Sequence, residues 1–242
     1  MRRIVHLVLG LALGATALPA QSVDSLIAKY IQSSGGMAKI QAVTSLRRTG
    51  KFTGGGGFQA VVVQENKRPN QVREEFALQG MTAINAYDGR SGWKISPFGG
   101  KKDPEALGEE ELHSILEDAD FDGDLINYQQ KGNKVEFMGM DQVDGTDVYK
   151  VQVTTANGDR HIYYLDTDYC MPIQEDITRM IRGAEVNYTV ILGDYKQVNG
   201  WYLPFSIETR NQGASEGGKI RFDTIEANVT LDDARFARPV TH

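Results

Sequence analysis

Cysteine is nearly absent from this chain. There is one in 242 residues, Cys170, so no intrachain disulfide can form. Small exported domains often depend on such bridges, but a chain of this length buries enough surface without them. No His or basic residue is near Cys170 in sequence, so it reads as a small buried apolar side chain rather than an activated thiol. Histidine is also scarce. Of four, His6 lies in the N-terminal apolar run and His242 ends the chain. His113 and His161 alone are poor material for a catalytic triad or a zinc site, and neither G-x-S-x-G nor H-E-x-x-H occurs. The glycine run Gly54–Gly57 has no Lys-Ser/Thr after it, which excludes a phosphate loop and leaves a hairpin tip. Positive charge is short too, with 26 Lys and Arg against 32 Asp and Glu. That excludes the basic footprint of a nucleic-acid binder and polybasic docking on anionic headgroups. These absences point away from catalysis, and no cofactor is expected.

What is present begins with an export signal. Arg2 and Arg3 precede an apolar run from Ile4 to about Leu18, closed by the small residues Ala15, Ala17 and Ala20. The run is short for a membrane span and no stop-transfer pattern follows. Residues 1–20 are therefore expected to be a signal peptide, leaving residues 21–242 as one domain, periplasmic or secreted. Loss of Arg2 and Arg3 takes the formal charge from −6 to −8. No cysteine stands at the cleavage region, so a lipid-anchored N-terminus is not indicated.

The region after the signal opens with a helix. Val23, Leu26, Ile27, Tyr30 and Ile31 share one apolar face, Ser22 can cap it, and Gly35-Gly36 stops it. A short turn over Met37–Val43 follows. Period-two alternation then takes over. Tyr149, Val151 and Val153 face one way; so do Trp201, Leu203, Phe205 and Ile207. Asp144-Gly145, Asn157-Gly158 and Asn199-Gly200 mark hairpins. The phase slips between Phe222 and Ile225, which predicts a bulge near Thr224. One region breaks the pattern: Pro104–Ala119 reads as an amphipathic helix with Leu112, Ile115, Leu116 and Ala119 on its apolar stripe. The expectation is a curved antiparallel sheet of ten or eleven strands with an apolar concave face, covered by the N-terminal and mid-chain helices.

Metal candidates are few. Asp118, Asp120, Asp122 and Asp124 match the opening of a calcium loop, D-x-D-x-D-G. The closing Glu is replaced by Gln129, and Leu125–Tyr128 does not read as an exiting helix. An acidic helix-to-strand turn is the plainer reading. Glu109, His113 and Glu117 fall at i, i+4 and i+8 but lack a partner motif, so they read as the solvated flank of the helix. Asn187-Tyr-Thr189 and Asn228-Val-Thr230 match the glycosylation pattern inside expected strands.

The segments Tyr30-Ile31…Gly35-Gly36…Ile40…Leu46-Arg47-Arg48-Thr49-Gly50, Tyr87–Ile95, Asp120–Leu125, Val143–Val151 and Asn199–Pro204 resemble the bacterial outer-membrane lipoprotein-sorting (LolA-like) proteins, in order and over nearly the whole region after the signal. The chain is similar to the divergent relatives, and no cargo-contacting arginine is matched; Arg47 and Arg48 lie in the first strand. The resemblance implies an unclosed β half-barrel with helices in its mouth, a periplasmic setting, and an apolar cavity for acyl chains of lipoproteins or lipids. The function expected is a non-covalent carrier, acting as a monomer. A sensor or scaffold module of the same fold, with an inner- or outer-membrane protein partner, is the alternative. An envelope hydrolase would need a His–carboxylate cluster about His161 inside a cleft. Trp93, Phe98, Trp201 and Phe205 are the aromatics expected at the cavity or its rim.

Overall fold

The computed structural model describes residues 22–240. The expected signal segment lies outside them. Two short helices lead, α1 (Val23–Ser33) and α2 (Met37–Gln41). Six strands follow: β1 (Ser45–Thr53), β2 (Gln59–Lys67), β3 (Gln71–Leu78), β4 (Met81–Tyr87), β5 (Gly92–Ser96) and β6 (Lys101–Ala106). Helix α3 (Glu109–Ala119) interrupts them. The chain then returns to strands with β7 (Lys134–Val143), β8 (Thr146–Thr154), β9 (Arg160–Asp166), β10 (Pro172–Ile181), β11 (Ala184–Val198), β12 (Trp201–Asn211) and β13 (Gly218–Ala227).

All thirteen strands belong to one antiparallel sheet, ordered β6-β5-β4-β3-β2-β1-β13-β12-β11-β10-β9-β8-β7. Two meanders thus join along the β1/β13 pair, and the sheet stays open between β6 and β7. This order dictates where α3 goes. The chain must pass from one free edge of the sheet to the other, so residues 107–133 run across the open side. The mainly-β half-barrel covered by an N-terminal and a mid-chain helix is therefore the observed fold. Two details differ from the expectation. There are thirteen strands, not ten or eleven. The mid-chain helix starts at Glu109, because Lys101–Ala106 pairs with β5 as an edge strand. Its sequence, KKDPEA, has the charge and proline of an edge and no apolar alternation, which hid it.

The predicted bulge is present. Thr49 faces Thr224 while Gly50 faces Phe222, leaving Asp223 as the extra residue. A Cβ on Gly50 would stand 2.1 Å from the Arg221 carbonyl oxygen, so only glycine lets the two backbones meet there. Gly35 has the same role at the helix end. Its φ is 116°, and a Cβ would meet the Gly200 carbonyl oxygen at 2.0 Å. The β11–β12 turn can then pack on the α1–α2 junction.

α1 is capped as its sequence suggests, Ser22 Oγ accepting from the Ser25 amide at 3.2 Å. It buries Leu26 and Ile27 on the concave side of β8 and β9, against Val151, Val153 and Leu165. Cys170 belongs to this cluster. It sits in the turn before β10, and burial pushes its thiol up. α3 buries Ile115 and Ala119 on Val72, with Tyr87, Leu107 and Leu112 around them. The segment after β13 covers the convex face of the first meander, burying Leu231 and Phe236. Asn228 holds it there by accepting from the Thr44 amide at 2.8 Å.

Candidate functional site

The concave face and α3 enclose a cavity of about 950 Å³. Strand register decides its lining, since residues directly opposite share a face. One half is apolar: Val62 and Phe76 from the first meander, Val190, Leu192 and Ile207 from the second, and Ile220 and Phe222 at the seam. An aromatic ladder leads out from this half. Phe76 meets Phe52 and Phe98 at centroid distances of 5.5 and 6.1 Å, and Phe52 meets Phe58 at 5.6 Å. Phe58 and Phe98 are each 45% exposed, so both ends of the ladder reach solvent. A smaller cavity of about 310 Å³ lies beside Tyr30, Phe121 and Trp201 and shares Leu192 and Ile207 with the first.

The other half corrects the expectation of an apolar concave face, because charged residues occupy the inward positions. Arg48 points inward and donates to Gln64 Oε1 at 2.8 Å and Asn66 Oδ1 at 2.6 Å. Burial lowers its guanidinium to about 10. Glu74 accepts from Gln64 at 2.7 Å, and Asp118 lies at the end of α3 beside them. Burial raises the Glu74 carboxyl, against the hydrogen bond from Gln64 and the charge of Arg48. Asp118 keeps surface to the cavity lumen but is ringed by protein. Burial raises it well above the usual aspartate value, and Glu74 and Glu117 add to the rise.

One His–carboxylate group lines the same end, and a second stands next to it, reaching the cavity through Glu117. His161 on β9 is 3% exposed, and its Nδ1 stands 2.7 Å from Asp124 Oδ2 and 2.8 Å from Glu175 Oε1. Burial would lower the imidazole, but the two carboxylates outweigh it and push it up to about 10. Tyr163 Oη donates to Asp124 Oδ2 at 2.9 Å. In the second group His113 Nε2 is 3.2 Å from Asp159 Oδ2 and 3.7 Å from Glu117 Oε1. Arg179 closes it, donating to Glu117 at 2.6 Å. The sequence offered the His113–Glu117 spacing, read as a solvated flank, and a His–carboxylate cluster about His161 as what a hydrolase would need. It did not identify Asp159 and Arg179, or Asp124 and Glu175, as the partners. Apart from the i, i+4 pair His113 and Glu117 on α3, the members come from separate places, the loop after α3, the turn before β9, β9 and β10, and no local spacing links them. The available signal was alternation, which puts His161 on the inward face with the buried Tyr163.

No protein-family model matches the chain, and no curated protein matches it in sequence. Solved structures do match in shape. A DUF1329 family protein from Desulfovibrio piger is 12% identical, covering 90% of this chain and 98% of its own, with a TM-score of 0.60. A LolA superfamily protein from Nitrosomonas europaea is 12% identical over the same shares, with a TM-score of 0.59. An outer membrane lipoprotein-sorting protein domain from Vibrio parahaemolyticus is 10% identical, covering 87% of this chain and 94% of that one, at a TM-score of 0.56. The fold is LolA-like. At these identities the likeness is one of fold.

The LolA-like half-barrel separates the four expected aromatics. Trp93 is on the convex side, 1% exposed, under the C-terminal segment and away from the cavity lining. Alternation alone could not say which face of β5 is concave. Phe98 stands at the outer end of the ladder, in the turn after β5. Trp201 lines the smaller cavity, 6.2 Å from the Phe121 ring. Phe205 packs into the core with Leu203 and Phe222, and Lys196 Nζ lies 4.6 Å from its ring centroid.

The four aspartates do not converge as a calcium loop would require. Asp118 faces the cavity. Asp120 pairs with Lys131 at 2.5 Å, Asp122 takes both Nη atoms of Arg68 at 2.6 and 2.7 Å, and Asp124 turns to His161.

Proposed function

We propose that this protein is an exported carrier that holds acyl chains, of lipoproteins or lipids, non-covalently inside the half-barrel. It works in the periplasm, where a shielded path between membranes is needed. The observation that carries this reading is the apolar half of the large cavity, with its aromatic ladder to solvent. Its volume of about 950 Å³ is at the upper end of the roughly 300–1,000 Å³ of small-molecule sites. Each methylene buried there contributes about 0.8 kcal/mol, so a chain of ten or more is strongly retained. The acidic strip around Glu74 and Asp118, with Arg48 beside it, is polar and gains nothing from an alkyl chain. A fatty chain therefore enters tail first, into the apolar half, with any anionic head left at the mouth.

Admission requires α3 to shift. It rests on a small apolar contact, Ile115 and Ala119 on Val72, plus ion pairs such as Lys94–Glu111 at 2.5 Å. Such a contact opens at lower cost than the strand ladders beneath it. Uptake of a fluorescent fatty acid by the purified protein tests the reading. A Val190→Trp variant, which fills the apolar half, is expected to lose most of that uptake while keeping its far-UV circular dichroism. Equal uptake by the variant and the parent would overturn the proposal.

A further inference from the structure

We propose that Asp124, His161 and Glu175 form a binding site for a divalent cation of the zinc class in the cavity wall. The site does not depend on the carrier reading. Its geometry singles it out. The three ligand atoms come from three elements, the loop after α3, β9 and β10, and lie within 4.8 Å of one another. His161 is the decisive member. It is almost wholly buried, yet neither ring nitrogen makes a well-directed hydrogen bond. Nδ1 is within 2.7 and 2.8 Å of two carboxylate oxygens and aligned with neither. A cation that displaces the imidazole proton would find Nδ1 and both carboxylate oxygens gathered about it.

The fit to an ion is close. Ligand atoms about 2.0–2.2 Å from a tetrahedral zinc are roughly 3.4 Å apart. Each carboxylate would step back from Nδ1 by a little over half an ångström, within reach of a side-chain rotation. One imidazole and two carboxylates suit a borderline first-row cation, and the nitrogen disfavours calcium or magnesium. The two negative charges balance a dication. Tyr163 Oη on Asp124 Oδ2 supplies the outer hydrogen bond that orients such a ligand. Because Asp124, His161 and Glu175 all line the large cavity, the remaining coordination position opens into it.

The neighbouring group, His113, Glu117 and Asp159, offers the same atom types but already holds a cation. The Arg179 guanidinium bonds Glu117 at 2.6 Å and comes within 3.6 Å of Asp159. Among the described residues no Lys or Arg pairs with Asp124 or Glu175 within ion-pair distance.

Tag-free, chelator-treated protein titrated with Zn²⁺ by calorimetry, and with Co²⁺ by visible absorption, tests the site. One ion per chain is expected, with a cobalt band typical of low-coordinate nitrogen and oxygen ligation. Glu175→Gln keeps the shape of the side chain and should weaken binding at least tenfold, as should His161→Asn. His113→Asn should leave binding unchanged. Circular dichroism reports whether each variant folds, and the cobalt spectrum of the parent stands if one does not. Absence of stoichiometric binding, retention of it in a folded Glu175→Gln protein, or its loss in His113→Asn alone would overturn the assignment. None of these outcomes bears on fatty-acid uptake, so the carrier reading is judged separately.

Discussion

The indole Nε1 of Trp93 donates a 2.7 Å hydrogen bond to the backbone carbonyl of Phe236, and both residues are almost wholly buried. The bond ties the C-terminal segment to the convex side of β5. Trp93→Phe removes the donor and leaves the carbonyl unsatisfied, at a cost of about 1–3 kcal/mol. Urea unfolding should show that loss, with fatty-acid uptake unchanged. Impaired uptake at full stability would mean that Trp93 serves the cavity after all.

Glu65 anchors the same segment. It is 1% exposed and lies between Arg47 Nε at 2.8 Å and Arg235 Nε at 2.6 Å. Removing one member of a buried ion pair costs about 3–5 kcal/mol, and less where the cations keep contact with water, as these do. Glu65→Ala is therefore expected to lose about 2–3 kcal/mol of unfolding free energy. Its C-terminal segment should be cut by trypsin earlier than the parent's.

The outcome on the convex side shows how far the sequence reaches. Alternation over Tyr149–Val153 and Trp201–Ile207 locates strands and pairs their faces, and the phase slip beside Phe222 locates the bulge. The glycine and asparagine turns mark the hairpins. Curvature is a property of the closed set of pairings, so Trp93 could not be assigned to the concave or convex side from β5 alone. The same holds for His161 and Glu175. They stand on adjacent strands because β9 and β10 pair, but Asp124 reaches them only because α3 crosses the open side of the sheet. Edge strand β6 was hidden for a different reason: an edge needs charge and tolerates Pro104, and so imitates the start of a helix.

The acidic strip predicts an unusual pH response. Asp118 is faced by Glu74 from β3, Arg48 from β1, Arg179 from β10 and Glu117 on its own helix. Its folded-state value lies above its unfolded one, so the native state binds the proton more tightly. Stability then rises as the pH falls through the folded value, until the unfolded carboxyl, at about 3.9, also protonates. Asp118→Asn should be more stable than the parent at neutral pH, with the gap closing toward pH about 4. Unfolding curves of both proteins at several pH values check this. A variant less stable than the parent at neutral pH would contradict it.

The ladder predicts a route. Phe76 joins the cavity to Phe98, and Phe98 is in the exposed turn after β5. Phe98→Ala trims an exposed ring and should cost less than about 0.5 kcal/mol of stability. Stopped-flow mixing with a fluorescent fatty acid should nonetheless show slower uptake. An unchanged rate would place the entrance elsewhere on the rim.

Native mass spectrometry with lipid extraction, on protein purified from a periplasmic fraction, tests the carrier account most directly. The account predicts co-purifying phospholipid or acylated peptide in the parent and its loss in a folded Val190→Trp variant. A parent protein that arrives empty and takes up no acyl ligand when offered one would contradict it.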